Sequence, residues 1–305
     1  MTGERAERPA QKPSAELRRL GAGAPAVPAV GYGGMHLSLE DRPPERQGLE
    51  VVRAALDAGV RLIDTADVYC LDDTDIGHNE RLVAEALRGW SGEHEAVLVA
   101  TKGGLTRPGG RWERNGRPEH LRAACERSLR ALGVERIGLY QLHAPDPKVP
   151  FEESVGALAD LRRQGKIRWV GLSNVSAAQV RVAETIVPVA SVQNRLNPFF
   201  RESLEEGVVR YCEEQGIGFL AYSPVGGGRL NRKLPEHPVL RPMAARLGVS
   251  AHALVLAWVL AQAPVVIAIP SARRVAHVLD SVGAGGLELS PDDLAAIDRA
   301  QFSRA

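Results

Sequence analysis

The stretch that decides the fold is residues 137–173, IGLYQLHAPDPKVPFEESVGALADLRRQGKIRWVGLS. It opens with a short apolar run, Ile137–His143, long enough for a buried strand. Residues 151–164 then carry apolar positions at helical spacing, Gly165 suits the helix end, and a second apolar run follows at Arg168–Ser173. A strand, a helix and another strand in this order form a βαβ unit, which implies parallel strands. Outward from this unit the same alternation continues in both directions. Further strands are expected at 30–33, 61–64, 96–101, 190–193, 218–222 and 265–269. Helices are expected at 47–58, 79–90, 119–132, 176–186, 202–215, 251–261 and 274–282. Eight such units predict an α/β fold, a single (β/α)8 TIM barrel, over an open doubly wound sheet. Residues 16–29, broken by Gly and Pro, read as a hairpin-like cap, residues 1–12 as a disordered polar tail, and residues 13–305 as the barrel domain. A final helix is expected at 290–300.

Bulk properties narrow the class. The 305 residues are 44% apolar and 25% charged, which supports a globular core. A formal net charge of +1 gives no overall field to attract nucleic acid or an anionic membrane. No apolar run is long enough to span a bilayer, and the polar N-terminus lacks the core of a signal peptide. The three cysteines contain no CxxC pair, so neither a disulfide framework nor a metal site is expected. Reduced thiols in the cytoplasm fit this usage. Oligomeric state is not legible.

In a barrel of this kind, chemistry collects where the strands end. Strand two runs into Asp64-Thr65-Ala66-Asp67-Val68-Tyr69, strand three ends at Lys102-Gly103-Gly104, and strand four ends at His143. A carboxylate, a phenol, an ammonium and an imidazole therefore meet at one mouth. An ammonium beside a phenol lowers its pKa, a carboxylate anchors the ammonium, and an imidazole orients a carbonyl oxygen. Polarisation and protonation of a carbonyl is the chemistry this set suits. Tyr140 lies an odd number of residues from His143 and faces the opposite side of its strand. Of the 38 Lys and Arg only five are Lys, so a lysine kept beside Gly-Gly is notable. Read singly, Asp64 is also a plausible helix cap and His143 a plausible loop histidine.

The runs LIDTADVY, VATKGG, LYQLH and GLSN, followed by ASVQNRLN, LAYSPVGGG and IAIPSARR, resemble the aldo-keto reductase superfamily across about residues 15–300. The resemblance implies that Asp64, Tyr69, Lys102 and His143 form the catalytic tetrad. It implies that NADPH donates a hydride to a small-molecule carbonyl while Tyr69 supplies the proton. By the same match, Ser173, Asn174 and Gln193 bond the nicotinamide carboxamide and Tyr222 stacks on its ring. Ser223 and the Gly226-Gly227-Gly228 loop cover the pyrophosphate. Ser271, Arg273 and Arg274 face the adenosine 2′-phosphate, and His277 lies near the adenine. A guanidinium pair suits a phosphate dianion, which favours NADPH over NADH.

Met35, His36, Cys70, Trp112 and Phe199 are candidate walls of the substrate pocket. Cys70 stands where the family commonly has glycine, and Ser281 where it commonly has asparagine. The acidic segment 71–78 is longer than usual. Such a segment is most often a solvated loop, although acids lining the mouth would favour an amino-bearing substrate. The short stretch after the final helix lacks the long lid of some members and implies an open site. Two alternatives share these residues: alcohol or sugar oxidation in the reverse direction, and a nucleotide-sensing regulatory subunit like the potassium-channel β subunits.

Overall fold

Short apolar runs bounded by glycine and polar turns become strands here because both of their faces are buried. In the computed structural model, which describes residues 16–305, eight parallel strands form one sheet. In chain order they are Tyr32–Gly33, Leu62–Asp64, Leu98–Gly103, Ile137–Leu142, Ile167–Ser173, Val189–Arg195, Gly218–Tyr222 and Val266–Ala268. Each pairs with the next in sequence. The ring closes between the ends of the sheet through a parallel bridge from Val30 to Ala268. There the Gly31 N–H donates to the Ala268 carbonyl at 2.8 Å, and the Ala268 N–H to Ala29 at 2.9 Å. This is the (β/α)8 barrel that the alternation of elements predicts. The expected polar tail, residues 1–12, lies outside the described residues.

Helices wrap the ring at Glu45–Asp57, His78–Arg88, Pro118–Leu132, Phe151–Arg163, Ala177–Glu184, Val208–Gln215, Ala251–Leu260 and Val275–Gly283. Local chemistry starts several of them. Ser176 and Gln179 form a reciprocal capping box, and the Ser250 hydroxyl accepts from the Ala253 N–H. The expected helix 202–215 divides into Glu202–Glu205 and Val208–Gln215, because Gly207 between them takes φ 75°, which breaks the helical path. Two further elements carry weak sequence signals: the helix Leu240–Leu247 and a small hairpin, Leu105–Thr106 with Glu113–Arg114, in the loop after strand three. The helix Pro291–Arg299 ends the fold, as expected.

Side chains alternate between two cores. Leu62, Leu98, Ala100, Leu139, Ala190, Leu220 and Ile267 fill the barrel interior, together with Leu20 and Val27 from the cap. The larger cluster, including Leu158, Val170, Phe219, Leu254 and Trp258, lies between strands and helices. Tyr140 belongs to this outer layer, as its spacing from His143 predicts. Among the described residues no single helix is long and apolar enough to cross a membrane; the most apolar one, Ala251–Leu260, is buried in the wall of the fold.

The cap is a hairpin pairing Leu17–Arg18 with Val27–Pro28. Arg18 locks it to the last strand: its buried guanidinium donates to the carbonyls of Leu260 at 2.8 Å, Ala263 at 3.2 Å, and Val266. Arg18→Ala leaves these acceptors without their charged donor. We expect a loss of about 2–3 kcal/mol, read as a lower urea midpoint at constant m value.

Candidate active site

Because side chains in a strand alternate, Leu62 and Asp64 both point into the barrel, and Asp64 sits at the open end. Lys102, on strand three two residues past Ala100, which pairs with Asp64, is fully buried, and its Nζ donates to Asp64 Oδ2 at 2.6 Å. The same Nζ donates to the Thr65 carbonyl at 2.9 Å and to the Tyr69 hydroxyl oxygen at 2.9 Å. All three ammonium protons are therefore committed. Asp64 is equally satisfied, since its Oδ1 accepts from Gln193 at 2.7 Å and from Gln141 at 3.2 Å. The phenol oxygen of Tyr69 accepts from Lys102, which leaves its own proton free to donate into the cleft above.

His143 stands beside Tyr69 with ring centroids 5.7 Å apart in an edge-to-face arrangement. Its Nδ1 is buried without a hydrogen-bond partner among the described residues. Burial, and next the Lys102 charge, hold the imidazole pKa well below its ordinary value near 6.5, so the ring is neutral. The Tyr69 phenol differs from the expectation of a lowered pKa. Burial first, and then the charge of the Asp64 carboxylate, push it well above the usual value. Lys102 is itself pulled down by burial, with Asp64 opposing.

These groups form the floor of a cleft of about 310 Å³. Met35, His36, Trp112, Ser173, Asn174, Gln193, Tyr222, Ser223, Gly227 and Ser271 all contribute to its lining. Asn174 and Ser223 adopt φ 58° and 47°, a conformation that non-glycine residues take only where the surroundings demand it. At Asn174 the demand is visible: its amide donates to the His143 carbonyl at 2.9 Å and accepts from the Tyr222 hydroxyl at 2.8 Å. A wider groove of about 750 Å³ lies around the opposite ends of the strands, where Arg61, Glu95, Arg136 and Arg168 join an otherwise apolar lining.

Other expected site residues are placed elsewhere. Cys70 is fully buried, away from the cleft lining, and burial pushes its thiol up to about 12, so it is a filler rather than a pocket wall. Phe199 also turns away: it packs edge-to-face on Phe302 at 5.2 Å and backs Gly226. Arg273 hydrogen-bonds the Asp41 carbonyl at 2.7 Å and is near enough to His36 to help lower its pKa. Arg274 lines a separate open groove with Arg46 and Gln47, and His277 is exposed nearby on the same helix. None of Asp72, Asp73 and Asp75 lines the cleft. Asp72 binds Thr74, Asp73 accepts from the Gly109 N–H, and Asp75 pairs with Arg42 at 2.5 Å, so the acids bind the loop to itself and its neighbours. The sequence reading missed Gln141, two residues before His143 and therefore on the same face, and Arg195, two residues after Gln193. Strand parity alone would have found both. Among the described residues no group of three or more His, Cys, Asp or Glu is placed to hold a metal ion.

A histidine held neutral by the fold makes stability depend on pH. The unfolded chain takes up a proton near pH 6.5, whereas the folded chain does so only at lower pH, so stability is full above 6.5 and declines as pH falls below it. Urea unfolding at pH 7 and pH 5 should therefore show a larger loss for the wild type than for His143→Gln. Equal losses would contradict the depressed imidazole.

Comparison with known proteins agrees with this geometry. The Aldo/keto reductase family model matches residues 29–301. An uncharacterized oxidoreductase of Schizosaccharomyces pombe is 35% identical over 277 residues, covering 89% of this chain and 86% of that protein. The structure of a glycerol dehydrogenase from Gluconobacter oxydans superposes with a TM-score of 0.81 at 30% identity, covering 93% of this chain and 94% of that one. An aldo-keto reductase from Klebsiella pneumoniae, solved in complex with NADPH, gives a TM-score of 0.78 at 29% identity, with 93% and 94% covered. With the family model spanning nearly the whole barrel and the four polar residues gathered at its mouth, the chain belongs to the aldo/keto reductase family of oxidoreductases.

Proposed function

We propose that this protein reduces an aldehyde or ketone with NADPH, and that Tyr69 is the proton donor. The observation that carries the reading is the buried chain Asp64–Lys102–Tyr69, which ends in a phenol whose proton faces the cleft. A phenol is protonated at neutral pH, the state a donor requires, and burial here raises its pKa further. His143, neutral and alongside, orients the carbonyl oxygen toward the Tyr69 hydroxyl. Bound NADPH supplies the hydride.

Residues of the chain fit such a cofactor. The Ser271 hydroxyl is buried at the cleft without a partner among the described residues, and a hydroxyl so placed calls for an acceptor or donor from a ligand. Ser173, Asn174 and Gln193 offer amide and hydroxyl groups to the nicotinamide carboxamide, and Tyr222 offers a ring face. Ser223, Gly226 and Gly227 would cover the pyrophosphate. Ser271, Arg273 and Arg274 would meet the 2′-phosphate and His277 the adenine, as the family resemblance suggests. That the Klebsiella relative was solved with NADPH supports the choice of cofactor. The same residues serve oxidation of an alcohol in reverse, and the ratio of reduced to oxidised cofactor sets the direction.

A panel of aldehydes and ketones followed by NADPH absorbance tests the reading. Tyr69→Phe should lower kcat by about 100-fold or more while leaving the NADPH dissociation constant, read by fluorescence titration, nearly unchanged. Near-normal turnover in Tyr69→Phe would refute it. Arg273→Ala/Arg274→Ala should weaken NADPH more than NADH, since only NADPH carries the 2′-phosphate.

A further inference from the structure

The charge that lines the cleft is a cation. Among the described residues Arg195 is the single Lys or Arg in its lining, and Asp64, the single acid there, is already neutralised by Lys102 at 2.6 Å. Arg195 ends strand six two residues past Gln193, so it shares the inward parity and reaches the mouth, where it is exposed. Its guanidinium lies 4.4 Å from the ring centroid of Phe200 and 5.6 Å from that of Tyr222, itself a wall of the cleft. Stacking of this kind limits the rotamers of a long side chain before any ligand arrives. No ion pair neutralises Arg195 among the described residues. Glu202 feels the charges of both Arg304 and Arg195 but pairs with Arg304, at 2.6 Å. The acids of the 71–78 loop, which would have attracted an amino group, are engaged with Thr74, Gly109 and Arg42. A positioned, unpaired guanidinium at the rim of a cleft whose other charges cancel is a receptor for an anion.

We propose that Arg195 receives an anionic substituent of the carbonyl substrate, a carboxylate or phosphate, and so makes this protein selective for acidic aldehydes or ketones. The proposal rests on the reductase reading above and names the substrate class of the same cleft. Trp112, 46% exposed and stacked under the Arg107 guanidinium at 4.1 Å, forms another wall of that cleft and suits the apolar body of such a substrate.

The test compares matched aldehydes: succinic semialdehyde against butanal, and 4-carboxybenzaldehyde against benzaldehyde, each with NADPH. In the wild type, kcat/KM should favour the acid of each pair. In Arg195→Gln that preference should fall by about 10-fold or more, chiefly through KM, and Arg195→Lys should restore part of it. The NADPH dissociation constant of Arg195→Gln, read by fluorescence titration, should stay within about threefold of wild type. A wild-type preference for the neutral aldehydes, or a preference that survives Arg195→Gln, overturns the proposal while the reductase reading stands. A loss of NADPH affinity that matches the change in kcat/KM also overturns it, by assigning Arg195 to the cofactor's phosphates. No reduction of either acidic aldehyde overturns this proposal, while the wider panel of aldehydes and ketones with Tyr69→Phe decides the reductase reading.

Discussion

The interaction on which the rest depends is the buried pair between Lys102 and Asp64. Removing two charges from water is expensive, and their attraction offsets that cost only if every other donor and acceptor is also satisfied. Here each one is. Lys102 gives its three protons to Asp64, Thr65 and Tyr69, and Asp64 receives two more from Gln141 and Gln193. The groups come from strands two, three, four and six and from the turn after strand two. The closed ring of strands holds them to hydrogen-bond tolerance, which no loop could do as reliably. Breaking one partner of such a pair typically costs about 3–5 kcal/mol, so the pair constrains the barrel as much as the barrel constrains the pair.

Around this floor, loops complete the walls of the cleft. The segment after strand three folds into its own hairpin and presents Trp112, while the acidic loop after strand two spends its carboxylates on its own backbone and on neighbouring elements. Following the last helix, Phe302 packs on Phe199 and Arg304 bonds the Phe199 carbonyl at 2.6 Å. Lys233, from the segment that follows the glycine-rich stretch, reaches the Ser303 and Ala305 carbonyls. Residues 302–305 thus brace the wall made by strands six and seven, a role that the sequence pattern did not suggest. Phe199, expected to face substrate, is consumed by this brace.

How much was legible can be argued residue by residue. Asp64, Tyr69, Lys102 and His143 were legible because strand ends in a barrel share one mouth, and the spacing of four motifs placed each at such an end. Gln141 was legible in principle by parity but carries no charge to draw notice. Phe199 and Cys70 were misread because apolar side chains near a mouth are as often turned into packing as toward a ligand, and a one-dimensional pattern does not distinguish the two. The direction of the Tyr69 shift was misread for a different reason. It depends on how deeply the phenol is buried and on the nearby Asp64 carboxylate, neither of which a sequence pattern displays.

The sequence by itself determined the number and order of the βα units, and with them the closed parallel barrel, because hydrophobic periodicity and turn residues act locally and repeat. It also placed Asp64, Tyr69, Lys102 and His143 at the ends of strands that share one mouth. Only the tertiary structure decided the net charge of the cleft. Whether a carboxylate or a guanidinium faces a ligand depends on which partners across the fold have already claimed it. Arg304 claims Glu202, Arg42 claims Asp75 and Lys102 claims Asp64, so Arg195 remains the cation the cleft presents.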